Sequence, residues 1–115
     1  MKILKIVFLF IAIPLLSFGQ NKINPFQIYG PYGSETFSNF NQALLNAQNC
    51  YKLKSEGEDL SKSAKRIKKL NKLYVIDLKE NNIDSLPESI SNFRNLMYLQ
   101  SSGNPLRKLP ESIGS

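Results

Sequence analysis

The pentapeptide Leu-Pro-Glu-Ser-Ile occurs twice, at Leu86–Ile90 and at Leu109–Ile113, 23 residues apart. A fixed interval in so short a chain marks an internal repeat, and a repeat dictates architecture before local propensity does. Around Leu99 stand Leu96, Asn104, Leu106, Leu109 and Ile113. One interval earlier stand Leu73, Ile76, Asn81, Ile83, Leu86 and Ile90. A further interval back the positions hold Cys50, Leu53, Glu58, Leu60, Ser63 and Ile67, so the earliest unit is degenerate. The motif Asn-x-[Leu/Ile]-x-x-Leu-Pro, present in the two later units, would break a helix in each. That argues against a helix pair with chance leucine spacing.

Within a unit the residues predict a short strand, a turn at Asn and a loose return segment. Leu73, Ile76 and Leu78 point inward, while Val75, Asp77 and Lys79 face out, the period-two pattern of a half-buried strand. Asn81 and Asn104 stand where the chain leaves the strand, and an amide there satisfies backbone groups the turn leaves unpaired. Pro87 and Pro110 fix the return path. Ser55 and Ser101 stand at the second inward strand position, where Leu78 is a leucine, and so weaken the packing on both sides of it.

The pattern Leu73-x-x-Ile76-x-Leu78-x-x-Asn81-x-Ile83-x-x-Leu86-Pro87-x-x-Ile90, and its partner from Leu96 to Ile113, resembles the leucine-rich repeat in its 23-residue, Leu-Pro form. The resemblance covers roughly residues 50 to 115. It implies an α/β-type solenoid with short parallel strands on a concave face, preceded by an N-terminal capping helix. It also implies an asparagine ladder between neighbouring units, which Glu58 would interrupt in the first. Protein-protein interaction through the concave face is the implied function.

The N-terminus is a different kind of sequence. Lys2 and Lys5 precede an apolar run, Ile6–Leu16, broken only by Pro14, and Ser17-Phe18-Gly19 supplies small residues before a cut ahead of Gln20. This is the pattern of a secretory signal peptide. It is too short for a comfortable membrane span, which takes about 20 apolar residues, although an uncleaved anchor stays open. It resembles the signals of Gram-negative bacterial exported proteins, and it lacks the Cys after the cut that a lipoprotein signal requires. Its removal takes two lysines and no acid, and the net charge falls from +6 to +4. The expected location is the periplasm, the cell surface or the medium.

The predicted organisation is a signal peptide at 1–19, a linker at 20–36, a capping helix at 37–49 and repeats at 50–115. The repeats divide into a degenerate unit at 50–72, a full one at 73–95 and an incomplete one at 96–115. Pro25, Gly30, Pro31 and Gly33 mark the linker. Phe37, Phe40, Ala43, Leu44 and Ala47 recur at helical spacing, with Ser34, Thr36 or Ser38 as candidate caps. An amphipathic membrane helix is the other possibility for this segment, but its polar face carries Asn and Gln and no Lys or Arg.

Beyond Ile113 only Gly114 and Ser115 follow, with no capping sequence. Leu96, Leu99, Leu106, Leu109 and Ile113 are therefore expected to lack a neighbour on one side. Each then forfeits on the order of 1 kcal/mol of burial, in total comparable with the whole stability of a small domain. A longer repeat array, a truncated reading frame or self-association through the open end would each account for this. Alone, the chain is expected to be marginal or prone to associate.

The candidate partner-binding residues are those that alternate outward from the strands: Lys52, Lys54 and Glu56, then Val75, Asp77 and Lys79, then Tyr98, Gln100 and Ser102. Tyr51, Tyr74 and Met97 lie at the rim. They form either a mixed polar and aromatic surface for a protein or peptide or a solvated sheet face. Six cations crowd between Lys62 and Lys72. They form either a contact for an anionic polymer that retains the protein at the envelope or a solvated convex loop. An exported chain makes nucleic acid an improbable partner.

Cys50 is the sole cysteine and stands at a core position, so it reads as a small buried hydrophobe. It has no internal disulfide partner, and a bridge between two chains is the other possibility. The chain has no His, which excludes Ser-His and Cys-His chemistry. Asp77 and Glu80 form a possible carboxylate pair or cation site. A two-carboxylate glycosidase, however, needs a deep cleft, where this architecture offers an open face. The expectation is a non-enzymatic protein with no cofactor and no metal.

Overall fold

The computed structural model describes residues 6–8 and 24–107. The predicted signal peptide outside 6–8 and the positions Leu109, Pro110 and Ile113 lie outside the described residues. Five short strands form one parallel sheet: β1 (Ile6–Phe8), β2 (Thr36–Phe37), β3 (Lys52–Lys54), β4 (Val75–Asp77) and β5 (Tyr98–Gln100). Their order is β1-β5-β4-β3-β2. Strands β2 to β5 alternate with short helical turns, an α/β arrangement.

The register carries the 23-residue interval directly. Lys52 pairs with Val75 and Val75 with Tyr98; Leu53 pairs with Ile76 and Ile76 with Leu99. Leu53, Ile76 and Leu99 thus stack in one row and are completely buried. Leu73, Leu78, Ile83, Leu86, Ile90, Phe93 and Leu96 join them in a single core. The return segments run as 3-10 turns, Ala64–Lys69 and Glu88–Asn92, each placing an isoleucine, Ile67 or Ile90, in that core. Both turns are short, and Pro87 immediately precedes the second, setting its backbone angle without a donor to lose.

The turn after each strand needs one left-handed residue, and the same interval places Gly57, Glu80 and Gly103 there, at φ +78°, +55° and +74°. Only the middle unit uses a side-chain-bearing residue. A Cβ on Gly103 would fall 2.6 Å from Glu80 Cγ, so the glutamate side chain occupies the space its neighbour's missing side chain leaves.

The asparagines behave as their position requires. Asn81 is wholly buried; its Nδ2 donates to Ser55 O (2.7 Å) and its Oδ1 accepts from Glu58 N (3.0 Å). Asn104 repeats this one interval later: Nδ2 donates to Leu78 O (2.7 Å), and Oδ1 accepts from Asn81 N (2.8 Å) and Ile83 N (3.0 Å). In the first unit Glu58 accepts instead from the Ser55 hydroxyl (2.5 Å). Ser55 thereby spends its polarity locally, whereas the buried Ser101 hydroxyl has no hydrogen-bond partner.

Three expectations need correction. Phe37 belongs to β2, and the helix that follows, α2, spans only Phe40–Leu45, with a 3-10 turn at Ala47–Asn49. Its cap is Asn39, whose side chain accepts from Gln42 N at 2.9 Å, rather than Ser34, Thr36 or Ser38. The stretch expected to be an extended linker contains a one-turn helix, α1 (Pro25–Ile28), capped by Asn24 and started by Pro25. Finally, in the full chain the edge of β5 expected to lack a neighbour pairs with β1, Ile6 opposite Tyr98 and Phe8 opposite Gln100; β1 lies within the predicted signal peptide, and removal of that segment would leave the edge open as expected. Leu96 and Leu99 are buried, and Leu106 is partly so. No helix among the described residues is long and apolar enough to cross a membrane.

Candidate functional site

A strand alternates its side chains, so the residues flanking Leu53, Ile76 and Leu99 leave the opposite face of the sheet from the core. Lys52, Val75 and Tyr98 form one row across that face, and Lys54, Asp77 and Gln100 form the next. Glu56, Lys79 and Ser102 follow where the strands end. Tyr74 and Tyr51 flank the rows, with ring centroids 6.4 Å apart and tilted by 55°. The register therefore gathers the predicted binding residues into one patch.

Their exposure differs from expectation. Lys54 and Glu56 are exposed, and Lys79, Tyr74, Tyr98, Gln100 and Ser102 are half-buried. Lys52, Val75 and Asp77 are buried, at 7%, 0% and 5%. Val75 does not belong to the core cluster, so it is buried from the outer side. The segment Asn24–Gly30 lies over the β3 side of this face. Lys52 Nζ donates to Phe26 O at 2.6 Å, and Lys54 Nζ stands 5.6 Å from the centroid of the Phe26 ring. The chain then passes Gly30, at φ +95°, where a Cβ would lie 3.2 Å from Lys52 Cε and 3.7 Å from Tyr74 Cβ. The sequence signals for this cover were Asn24-Pro25, a helix start, and a glycine where the backbone approaches the sheet.

Burial dominates the electrostatics of this face. Burial pushes the Asp77 carboxyl above its ordinary value. The Lys79 backbone N–H, which donates to Oδ1 at 3.1 Å, and the Lys79 and Lys54 charges oppose the shift, and Glu56 adds to it. Lys79 Nζ lies 3.8 Å from Asp77 Oδ2, a loose ion pair. Burial, followed by the Asp77 charge, raises the Tyr98 phenol, while a hydrogen bond with Gln100 lowers it. Glu80 turns away from any such pairing: it is exposed at the left-handed turn, packed on Gly103. No group of three or more His, Cys, Asp or Glu among the described residues is placed to hold a metal ion.

No family model matches the chain, and no solved structure is significantly similar to it.

The remaining candidates lie elsewhere. Lys62, Lys65, Arg66, Lys68 and Lys69 are exposed along the turn whose apolar residues Ala64 and Ile67 face the core. Lys72 is half-buried and donates to Gln48 O at 3.1 Å. Cys50 is completely buried, and burial, with a smaller contribution from Glu35, pushes its thiol up to about 11. A thiol so placed packs as a small apolar group. A polar cleft beside α2, lined by Glu35, Thr36, Phe37, Ser38, Asn39, Gln42 and Asn46, contains none of the predicted site residues.

Proposed function

We propose that the chain is an exported leucine-rich repeat protein whose outer strand face binds a protein or peptide. The observation that carries this proposal is the composition of one rigid patch. The patch combines tyrosines (Tyr74, Tyr98), cations (Lys54, Lys79) and an amide (Gln100) on and beside strands held in register by parallel pairing. Aromatic and long charged side chains on a backbone that cannot rearrange give contact area at low entropic cost. The 23-residue strand register and the Asn81–Asn104 hydrogen bonds support the repeat assignment. The N-terminal basic and apolar run supports export.

The test is selection of binders from a random peptide library on the full chain. The expected binders lose at least tenfold in affinity to the double variant Lys54→Ala, Gln100→Ala. Binders indifferent to both substitutions would sink the assignment of this face.

A second function rests on the basic ridge. Five exposed cations stand within eight residues of one another, and the ion pair found among the described residues, Lys79–Asp77, involves none of them. Retention on anionic envelope polymer through this ridge should be lost by about 0.3 M salt, where exposed charges are strongly screened.

A further inference from the structure

The segment over the strand face has the properties of a ligand. Its turn is self-contained. Asn24 Oδ1 caps Phe26 N at 3.0 Å, Gln27 N donates to Asn24 O at 3.0 Å, and Tyr29 N donates to Pro25 O at 3.0 Å. Pro25 fixes the first helical residue. Proline and these local bonds bias the segment toward this turn, and the sheet contacts select it. It is also lightly held, since none of the residues of α1 is buried and Ile28 is 55% exposed. Besides the close approach of Gly30 to Lys52 and Tyr74, what attaches it is Phe26, read at two points by successive outward side chains of β3. Lys52 takes its main-chain carbonyl and Lys54 stands over its ring. A carbonyl and an aromatic face, at the spacing of one residue, are features any peptide with an aromatic side chain carries.

We propose that Lys52 and Lys54 form a reader for an aromatic residue following proline in a partner peptide. The chain's own Asn24–Gly30 fills this reader in cis and must leave for the partner to bind. The proposal rests on the assignment of the strand face as a peptide-binding surface and adds the class of ligand and the built-in competitor. Lys52 lies under the strap and is buried, whereas Lys54 remains exposed. A partner would meet Lys54 first and reach Lys52 only as the strap departs.

The probe is a labelled heptapeptide with the strap's own sequence, Asn-Pro-Phe-Gln-Ile-Tyr-Gly, titrated against the full chain by fluorescence anisotropy. Removing the internal competitor with Phe26→Ala should tighten binding at least tenfold. Adding Lys54→Met to that variant should weaken it several-fold, and a peptide with Ala in place of Phe should bind neither protein. The proposal is overturned if the folded Phe26→Ala variant does not bind the peptide, or if the Ala peptide binds as well. If Phe26→Ala loses its cooperative thermal transition, Pro25→Ala serves instead. It loosens the turn but keeps the ring, and binding should improve about threefold; no improvement overturns the proposal. Library binders that depend on Lys54 and Gln100 but ignore both Phe26→Ala and competition by the heptapeptide would defeat this inference alone, leaving the wider function standing.

Discussion

The two faces of the same three central strands are built on different terms. On the inner face Leu53, Ile76 and Leu99 repeat one chemistry three times, and each is closed by its neighbours in register. On the outer face the corresponding rows are Lys52, Val75, Tyr98 and Lys54, Asp77, Gln100, with no chemistry repeated. The inner face is satisfied by the periodic part of the chain. The outer face is closed on its β3 side by a non-periodic segment 26 residues away in the chain, through Lys52 to Phe26. A regular stack and an irregular cover can produce the same burial, as Ile76 and Val75 demonstrate at 0% each, yet only the first is expected to be costly to open.

The largest effect should separate those adjacent residues. Ile76→Ala leaves a cavity inside a close-packed row and should cost about 2–5 kcal/mol. Val75→Ala should cost about 1.5–2 kcal/mol, the worth of the two methyl carbons removed. In the Phe26→Ala background the Ile76 cost should persist and the Val75 cost should fall by about half, a coupling that a double-mutant cycle in urea measures. Equal persistence of both costs would mean that the strap contributes nothing to the outer face.

A smaller contrast lies within the inner face. Ser55 and Ser101 stand one interval either side of Leu78 and both are buried. The Ser55 hydroxyl donates to Glu58, while that of Ser101 has no partner. Ser55→Ala should therefore destabilise by about 1 kcal/mol. Ser101→Ala should be neutral or stabilising, because it removes a desolvated hydroxyl that makes no bond. Chemical denaturation of the two variants side by side reads the difference in midpoint, and the same sign for both would defeat the contrast.

What was legible in the sequence follows the same division. The 23-residue interval located Leu53, Ile76 and Leu99, the turns at Asn81 and Asn104, and the place of Cys50 in the core, because each of these is fixed by contact with its own copy. Period-two alternation also assigned Lys54, Asp77 and Gln100 to one face. It did not reveal that Lys52, Val75 and Asp77 would be buried there, since alternation describes a strand and its sheet but not a distant segment such as the one seated on Lys52. The strap's composition, with Pro25, Gly30, Pro31 and Gly33, signalled a break in regular structure. Such residues suit a linker and a docked turn equally, and the difference rests on the contacts of Phe26 with Lys52 and Lys54. The helix at Phe40–Leu45 was legible as a helix, but its start was not. Phe37 fits the helical spacing, yet it pairs with Leu53 as a strand, and Asn39 rather than an earlier hydroxyl caps the turn.

The finest test of the cover is the titration of Asp77. Burial raises its carboxyl above the ordinary value of 3.8, against the pull of Lys79 and Lys54. In the unfolded chain the same carboxyl releases its proton earlier. Below the unfolded value both states are protonated and the contribution to stability is complete. As the pH rises through the folded value, the native state must carry a buried carboxylate, and that contribution is lost. Asp77→Asn removes the dependence, so its stability relative to the parent chain should improve as the pH climbs from 3.8 through the weakly acidic range. Asp59 acts in the opposite sense, because hydrogen bonds from Ser61 and Asn82 lower its carboxyl. Both proteins retain it, and it cancels in the difference. If the strap's cover extends from Lys52 to Asp77, the pH-dependent part of the difference should shrink in the Phe26→Ala background. A difference that stays flat with pH in both backgrounds would mean that the carboxylate is already hydrated, and the outer face would then be an open surface from the start.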